Sequence, residues 1–199
     1  MPALSESEIA DLLVPYLPDA PATLLSQLSI YLDLLLKWNA RTNLTAIRDP
    51  QEIVRRHFGE SLFAGRHLDS DTPTLLDFGS GAGFPGVPIA LLRPDIQVTL
   101  AESQNKKAAF LREAVRTLCL STEVWPARVE SMPADRRFHS VTLRAVDNME
   151  AAILVAQART APGGQLVLLT TVAQAPRDGQ VIPLPSSTAG VLYVQTSSR

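Results

Sequence analysis

Chemistry is most legible in the stretch Leu75-Leu76-Asp77-Phe78-Gly79-Ser80-Gly81-Ala82-Gly83-Phe84-Pro85-Gly86. An apolar run ends in glycines at alternate positions, and a helical pattern begins near Pro85–Val87. Glycine there permits positive φ and removes the side chains that would hold a ligand away from the backbone. Free amides at the start of the following helix favour polar or anionic groups. Glu102 closes the apolar run Ile96–Ala101 about twenty residues after the loop, the usual place of a ribose-binding acid. Its carboxylate can accept hydrogen bonds from both hydroxyls of an adenosine ribose; it can equally cap a helix over 104–119. Loop and acid together predict a pocket for an adenosine-type ligand. A dinucleotide loop would carry glycine or alanine at position 84, where this chain has Phe84 followed by Pro85.

These residues need a scaffold that brings strand ends together. Short apolar runs at Thr74–Phe78, Ile96–Ala101, Glu123–Trp125, Ser140–Leu143 and Leu166–Leu169 read as strands. Helical patterns near 86–92, 104–119 and 147–158 alternate with them. Such alternation implies a mostly parallel sheet with right-handed crossovers, an α/β Rossmann-like fold. Two weak strands, about 179–183 and 190–195, are expected to form an edge hairpin. Upstream, Ser5-Glu6-Ser7-Glu8 is a capping pattern before a first helix. A second helix runs from about Ala22 to Trp38 on a leucine stripe, and Pro50 suits the first turn of a third. The expected organisation is one domain over 1–199, with an N-terminal helical extension over 1–70 and the Rossmann-like core over 71–199.

Composition agrees with a globular protein. Of 199 residues 46% are hydrophobic and 19% charged, with a formal net charge of -2. Global charge therefore does not announce a nucleic-acid binder, although a local basic face would suffice. The single cysteine, Cys119, excludes an internal disulfide, and it reads as a small buried hydrophobe at the apolar end of a helix. No run approaches the length of a membrane span and no basic-then-apolar leader opens the chain, so the expected compartment is the cytoplasm. His57, His67 and His139 are scattered without metal-ligand spacing, and no metal is expected.

The spacing Gly79-x-Gly81-x-Gly83 is that of methyltransferase loops, which suits S-adenosyl-L-methionine as the adenosine compound. Further segments carry a wider likeness: Lys37-Trp38-Asn39, Asn43-Leu44-Thr45-Ala46-Ile47-Arg48-Asp49-Pro50, Arg56-His57-Phe58-Gly59-Glu60-Ser61-Leu62, Glu102 through Leu111, and Arg144-Ala145. In these the chain resembles the bacterial 16S ribosomal RNA (guanine-N7) methyltransferases, the glucose-inhibited division protein B family. The resemblance implies that Gly79 and Phe84 contact S-adenosyl-L-methionine and that Val129 and Glu130 bracket the adenine. It also makes Arg144 a cofactor-contacting residue. On the residues alone, Arg144 serves as well as an ion-pair partner for Asp77 or Glu102. The resemblance further implies transfer of a methyl group to N7 of a guanine in 16S ribosomal RNA, by a monomer acting on the small ribosomal subunit. A small-molecule methyltransferase, a nicotinamide-binding oxidoreductase, or a catalytically weak RNA-binding member of the same fold remain the alternatives. The chain departs from the family where the fifth strand usually ends in Leu-Lys-Gly, having Leu169-Thr170-Thr171 instead.

Guanine N7 carries a lone pair at neutral pH, so its methylation needs alignment rather than a general base, and no catalytic residue is singled out. For RNA contact, Lys37, Arg41, Arg48, Arg55, Arg56 and Arg66 stand against Asp49, Glu52 and Glu60, a local +3 to which His57 and His67 can add. Such a face can hold phosphate oxygens, or be an ordinary solvated helix surface. Asn39 and Asn43 can read a base edge or cap the loop between helices. The expected RNA-binding set is Asn39, Asn43, Arg55, Arg56 and His57.

Overall fold

The computed structural model describes residues 2–146 and 148–198. Alternating apolar residues build a seven-stranded sheet: β1 (Thr74–Phe78), β2 (Gln97–Ala101), β3 (Glu123–Trp125), β4 (Phe138–Arg144), β5 (Thr160–Thr171), β6 (Gln180–Pro183) and β7 (Gly190–Thr196). The order is β3-β2-β1-β4-β5-β7-β6. β1 to β5 are parallel, and β7 runs antiparallel to both β5 and β6. The Rossmann-like α/β architecture expected from the alternation is the one found. The expected edge hairpin is found too: β6 and β7 pair antiparallel at one end of the sheet, with β7 joined to β5 and β6 outermost, while β3 forms the other edge. Leu192 and Tyr193 of β7, the inner strand of the hairpin, are fully buried.

The helices are α1 (Glu6–Leu13), α2 (Ala22–Thr42), α3 (Pro50–Glu52), a π-helical segment Ile53–Gly59, α4 (Glu60–Arg66), α5 (Gly86–Leu92), α6 (Asn105–Thr117) and α7 (Met149–Arg159). Position 147, where the last helical pattern was expected to begin, lies outside the described residues. The capping box of α1 forms, with Glu8 N–H donating to Ser5 Oγ at 3.2 Å and Ser5 N–H to the Glu8 carboxylate at 2.8 Å. Asp49 caps α3 by accepting from Glu52 N at 2.9 Å, with Pro50 at the first helical position.

Period-two alternation splits β1 between two cores: Leu75 packs with the N-terminal helices, and Leu76 and Phe78 face α7. The first core joins Leu28, Leu32 and Leu35 of α2, Phe58 of the π segment, Val87 and Ile89 of α5, and Phe110 of α6. The helical extension and the sheet therefore share one apolar core. No helix among the described residues is long and apolar enough to cross a membrane.

Cys119 corrects the expectation of a buried thiol. It is exposed, with φ 52°, just past α6. Its N–H donates to Arg116 O at 3.3 Å and Leu120 N–H to Val115 O at 3.0 Å, the paired bonds of a Schellman motif whose left-handed position usually holds glycine. Cys119→Gly is expected to raise stability by about 0.5–1 kcal/mol by relieving that strain. Urea denaturation of the reduced proteins measures it.

Candidate functional site

The strand order reverses between β1 and β4, and a cleft of about 520 Å³ opens over their carboxyl ends. Its walls include Phe78 to Ala82, Phe84, Glu102, Val129, Glu130 and Arg144, and on the helical side Leu44, Thr45 and His57.

The loop after β1 is held from below. Asp77 is fully buried, its carboxylate accepting from Gly86 N at 3.0 Å and from Thr142 Oγ1 at 3.1 Å. Burial pushes its pKa up to about 6, against the pull of those hydrogen bonds. Val87 N–H donates to Gly83 O at 2.8 Å. The expectation of free amides at the start of α5 is thereby corrected, since Asp77 and the loop itself consume them. Tyr31, buried in α2, donates its hydroxyl to Ala82 O. That brace was missed, because a tyrosine within a leucine stripe reads as core.

Three glycines of the loop have positive φ, 68° at Gly79, 57° at Gly81 and 93° at Gly83. They do different work. A Cβ at Gly81 would meet nothing closer than Gly79 O at 3.9 Å. A Cβ at Gly83 would stand 2.5 Å from the Tyr31 hydroxyl and 2.7 Å from Val87 Cγ2. Gly83, expected to contact cofactor, is not in the cleft wall; it faces the core because α2 closes over it.

Glu102 is nearly buried at the end of β2. One carboxylate oxygen accepts from Gly81 N at 2.9 Å and the other from Gln104 N at 2.7 Å. The ribose-acid and helix-cap readings are thus compatible: Gln104 is the cap position of α6, and each carboxylate oxygen keeps a lone pair for the cleft. Val129 and Glu130 form a short 3-10 turn after β3, the valine buried and the glutamate exposed.

Arg144 does not pair with Asp77 or Glu102. One guanidinium nitrogen donates to Glu60 at 2.7 Å and to Arg56 O at 2.8 Å. Both side chains of the pair are only 12% exposed. Arg56 belongs to the π-helical segment, which thereby touches the end of β4 through its backbone.

His57 was expected on the RNA-binding face. It lies instead in the cleft wall, stacked on Phe84 with ring centroids 4.6 Å apart and planes 15° apart. Burial first, and then the charges of Arg144 and Arg56, push its pKa down to about 3, so it adds no positive charge near neutrality. The unfolded chain binds this proton near pH 6.5 and the folded one does not. Stability from this group is complete above about pH 6.5 and is lost as pH falls toward 3. Asp77 acts in the opposite direction between about 3.8 and 6, where the folded state holds the extra proton. The ring resonances of His57 are expected to stay unshifted from pH 8 to 5 in NMR titration.

The remaining RNA-side expectations divide. Asn39 is buried, donates to Thr45 O and accepts from Thr45 N, both at 3.0 Å, so it caps the loop and offers nothing to a base. Asn43 is exposed with φ 48° and accepts from Arg48 at 2.6 Å. Arg48 also donates to Asn39 O at 3.1 Å, Arg55 pairs with Glu52 at 3.1 Å, and Arg66 donates to Tyr16 O at 2.8 Å. Lys37, Arg41 and Arg56 are exposed, and make no ion pair among the described residues. No group of three or more metal-ligating residues occurs among the described residues.

Comparison with known proteins adds a lineage to this geometry. A family model described as GidB, rRNA small subunit methyltransferase G, matches residues 24–176. A protein of Xanthomonas campestris pv. campestris named ribosomal RNA small subunit methyltransferase G is 44% identical over 143 residues, covering 71% of this chain and 66% of its own length. The protein of that name from Stenotrophomonas maltophilia is 44% identical over 152 residues, covering 76% of this chain and 71% of its own. The chain thus spans 66% of the length of the Xanthomonas relative. Among solved structures, a Thermus thermophilus 16S rRNA N2 methyltransferase in complex with AdoMet and guanosine aligns with TM-score 0.57 at 19% identity, over 72% of this chain and 43% of that one. An Agrobacterium tumefaciens protein described as a predicted O-methyltransferase aligns with TM-score 0.56 at 24% identity, over 70% and 81%. At these identities the likeness is one of fold.

Proposed function

This chain belongs to the GidB family, rRNA small subunit methyltransferase G, and from that premise we propose that it methylates N7 of a guanine in 16S ribosomal RNA with S-adenosyl-L-methionine. The observation that carries the reading is the cleft with a carboxylate at the end of β2, a glycine floor after β1 and an arginine at the end of β4. The residues fit the cofactor: Glu102 has lone pairs for the ribose, Val129 and Glu130 flank the adenine end, and Gly79, Gly81 and Phe84 form the floor. Arg144 stands at the opposite end with a buried Nη1 that finds no partner among the described residues. The cofactor supplies a methyl group on a sulfonium, ready for transfer to a lone pair. The chain's part is to orient both reactants and exclude water, catalysis by positioning.

On this reading Lys37, Arg41 and Arg56 hold phosphate oxygens, and a cytoplasmic monomer acts on the small ribosomal subunit. Arg56→Ala is expected to weaken RNA binding evenly across sequences and to reduce the slope of log K against log salt by about 1, leaving S-adenosylhomocysteine affinity unchanged. Filter binding across a salt series, beside calorimetry, checks both parts. The reading itself is tested by transfer of tritiated methyl from S-adenosyl-L-methionine to small subunits lacking the modification. Label in 16S rRNA that maps to a 7-methylguanosine supports it. Label in small metabolites and none in RNA refutes it.

A further inference from the structure

The helical wall of the cleft holds a buried ring nitrogen that the account above leaves unused. Among the described residues, His57 Nδ1 has no hydrogen-bond partner. A buried donor left unmade costs about 1–3 kcal/mol, so one in a ligand-sized cleft points to an acceptor that arrives with the ligand.

His57 is built as a donor. Its Nε2 lies 2.7 Å from Thr45 Oγ1, which already accepts from Ile47 N at 3.2 Å. Nε2 is the one acceptor for the threonine's own proton among the described residues. When the threonine donates there, the one proton of the neutral ring sits on Nδ1. Stacking on Phe84 and the π-helical turn, which places His57 at the cleft while turning the Arg56 carbonyl to Arg144, fix the ring's orientation.

The charge balance selects the acceptor. Arg144 is neutralised by Glu60, and His57 is uncharged. A carboxylate placed here would be a buried charge without compensation, whereas a carbonyl oxygen needs none. We infer that His57 reads the O6 carbonyl of the target guanine, which makes it a specificity-determining residue; this rests on the methyltransferase reading above. O6 lies beside N7 on the same edge of the base, so a contact to O6 orients N7 while leaving its lone pair unoccupied. Adenine presents an amino donor at that place and would meet a further donor in His57 Nδ1.

The test uses the full chain and 16S rRNA assembled into small subunits. Once mass spectrometry has mapped the nucleotide methylated by the wild type, that position is made guanine or 2-aminopurine, which keeps N7 and lacks O6. The wild type is expected to lose about 100-fold in kcat/KM when O6 is removed. His57→Phe, which keeps the stack on Phe84, is expected to lose about 100-fold on guanine and no more than a few-fold further on 2-aminopurine. Its affinity for S-adenosylhomocysteine should stay within about twofold of wild type. Thr45→Val, which releases the tautomer without removing the ring, should show the same coupling in weaker form and serves if His57→Phe does not fold. Additive losses from variant and base analogue overturn the inference, as does a parallel fall in cofactor affinity, which would put the acceptor on the cofactor. A wild type that labels no RNA at all overturns the function, and the inference with it.

Discussion

Gly81→Asp is expected to lower the affinity for S-adenosylhomocysteine by about 100-fold or more, ~2.7 kcal/mol at 25 °C. Space is not the obstacle, since a Cβ at Gly81 meets nothing closer than 3.9 Å. Charge is. The Gly81 amide donates to Glu102 at 2.9 Å, so a carboxylate on the same residue faces the acid proposed to hold the ribose. Like charges at that range disfavour each other, and the cheapest relief is to move Glu102 or protonate one of the pair. Gly81→Ala separates the components, because it carries the strain of φ 57° without the charge and should cost only about 1 kcal/mol. Calorimetric titration of both variants decides it. Equal, small losses would remove Glu102 from the cofactor site.

The second large effect is on stability. Glu60→Ala is expected to destabilise the fold by about 3 kcal/mol, about 6–12 °C in Tm for a chain of this size. The carboxylate is the buried counter-charge of Arg144, both side chains being 12% exposed. Removing it leaves a guanidinium in a wall it cannot leave, with only the Arg56 carbonyl as partner. Glu60→Gln should recover part of the loss by restoring an acceptor without the charge. Scanning calorimetry at pH 7 measures both; a change below ~1 kcal/mol would mean that the pair is solvated as surface pairs are.

The family segments of the sequence were sufficient to find the cleft, and seven of the eight residues expected to touch cofactor line it: Gly79, Gly81, Phe84, Glu102, Val129, Glu130 and Arg144. Glycine spacing, strand alternation and capping are one-dimensional signals, set by φ, ψ and side-chain period within a few residues, so β1, its loop, the cap of α1 and the first turn of α3 were legible directly. Gly83 failed the same rule because whether a glycine faces ligand or core depends on Tyr31, distant in the chain and brought over the loop by α2.

Among the RNA-side expectations the divide is sharper. A basic residue in a sequence carries no mark of whether its charge is already used. Arg48, Arg55 and Arg66 are used by partners within the helical extension, and Asn39 serves its own loop. His57 could be placed on a helix from its neighbours, but its neutrality and its position against Phe84 required burial and a partner from another element. The amino-acid order by itself determined the elements, the glycine floor and the acid at the end of β2. Only the tertiary structure decided which charges meet, as Arg144 and Glu60 do across 84 residues, because pairing and desolvation are properties of contacts that local sequence does not contain.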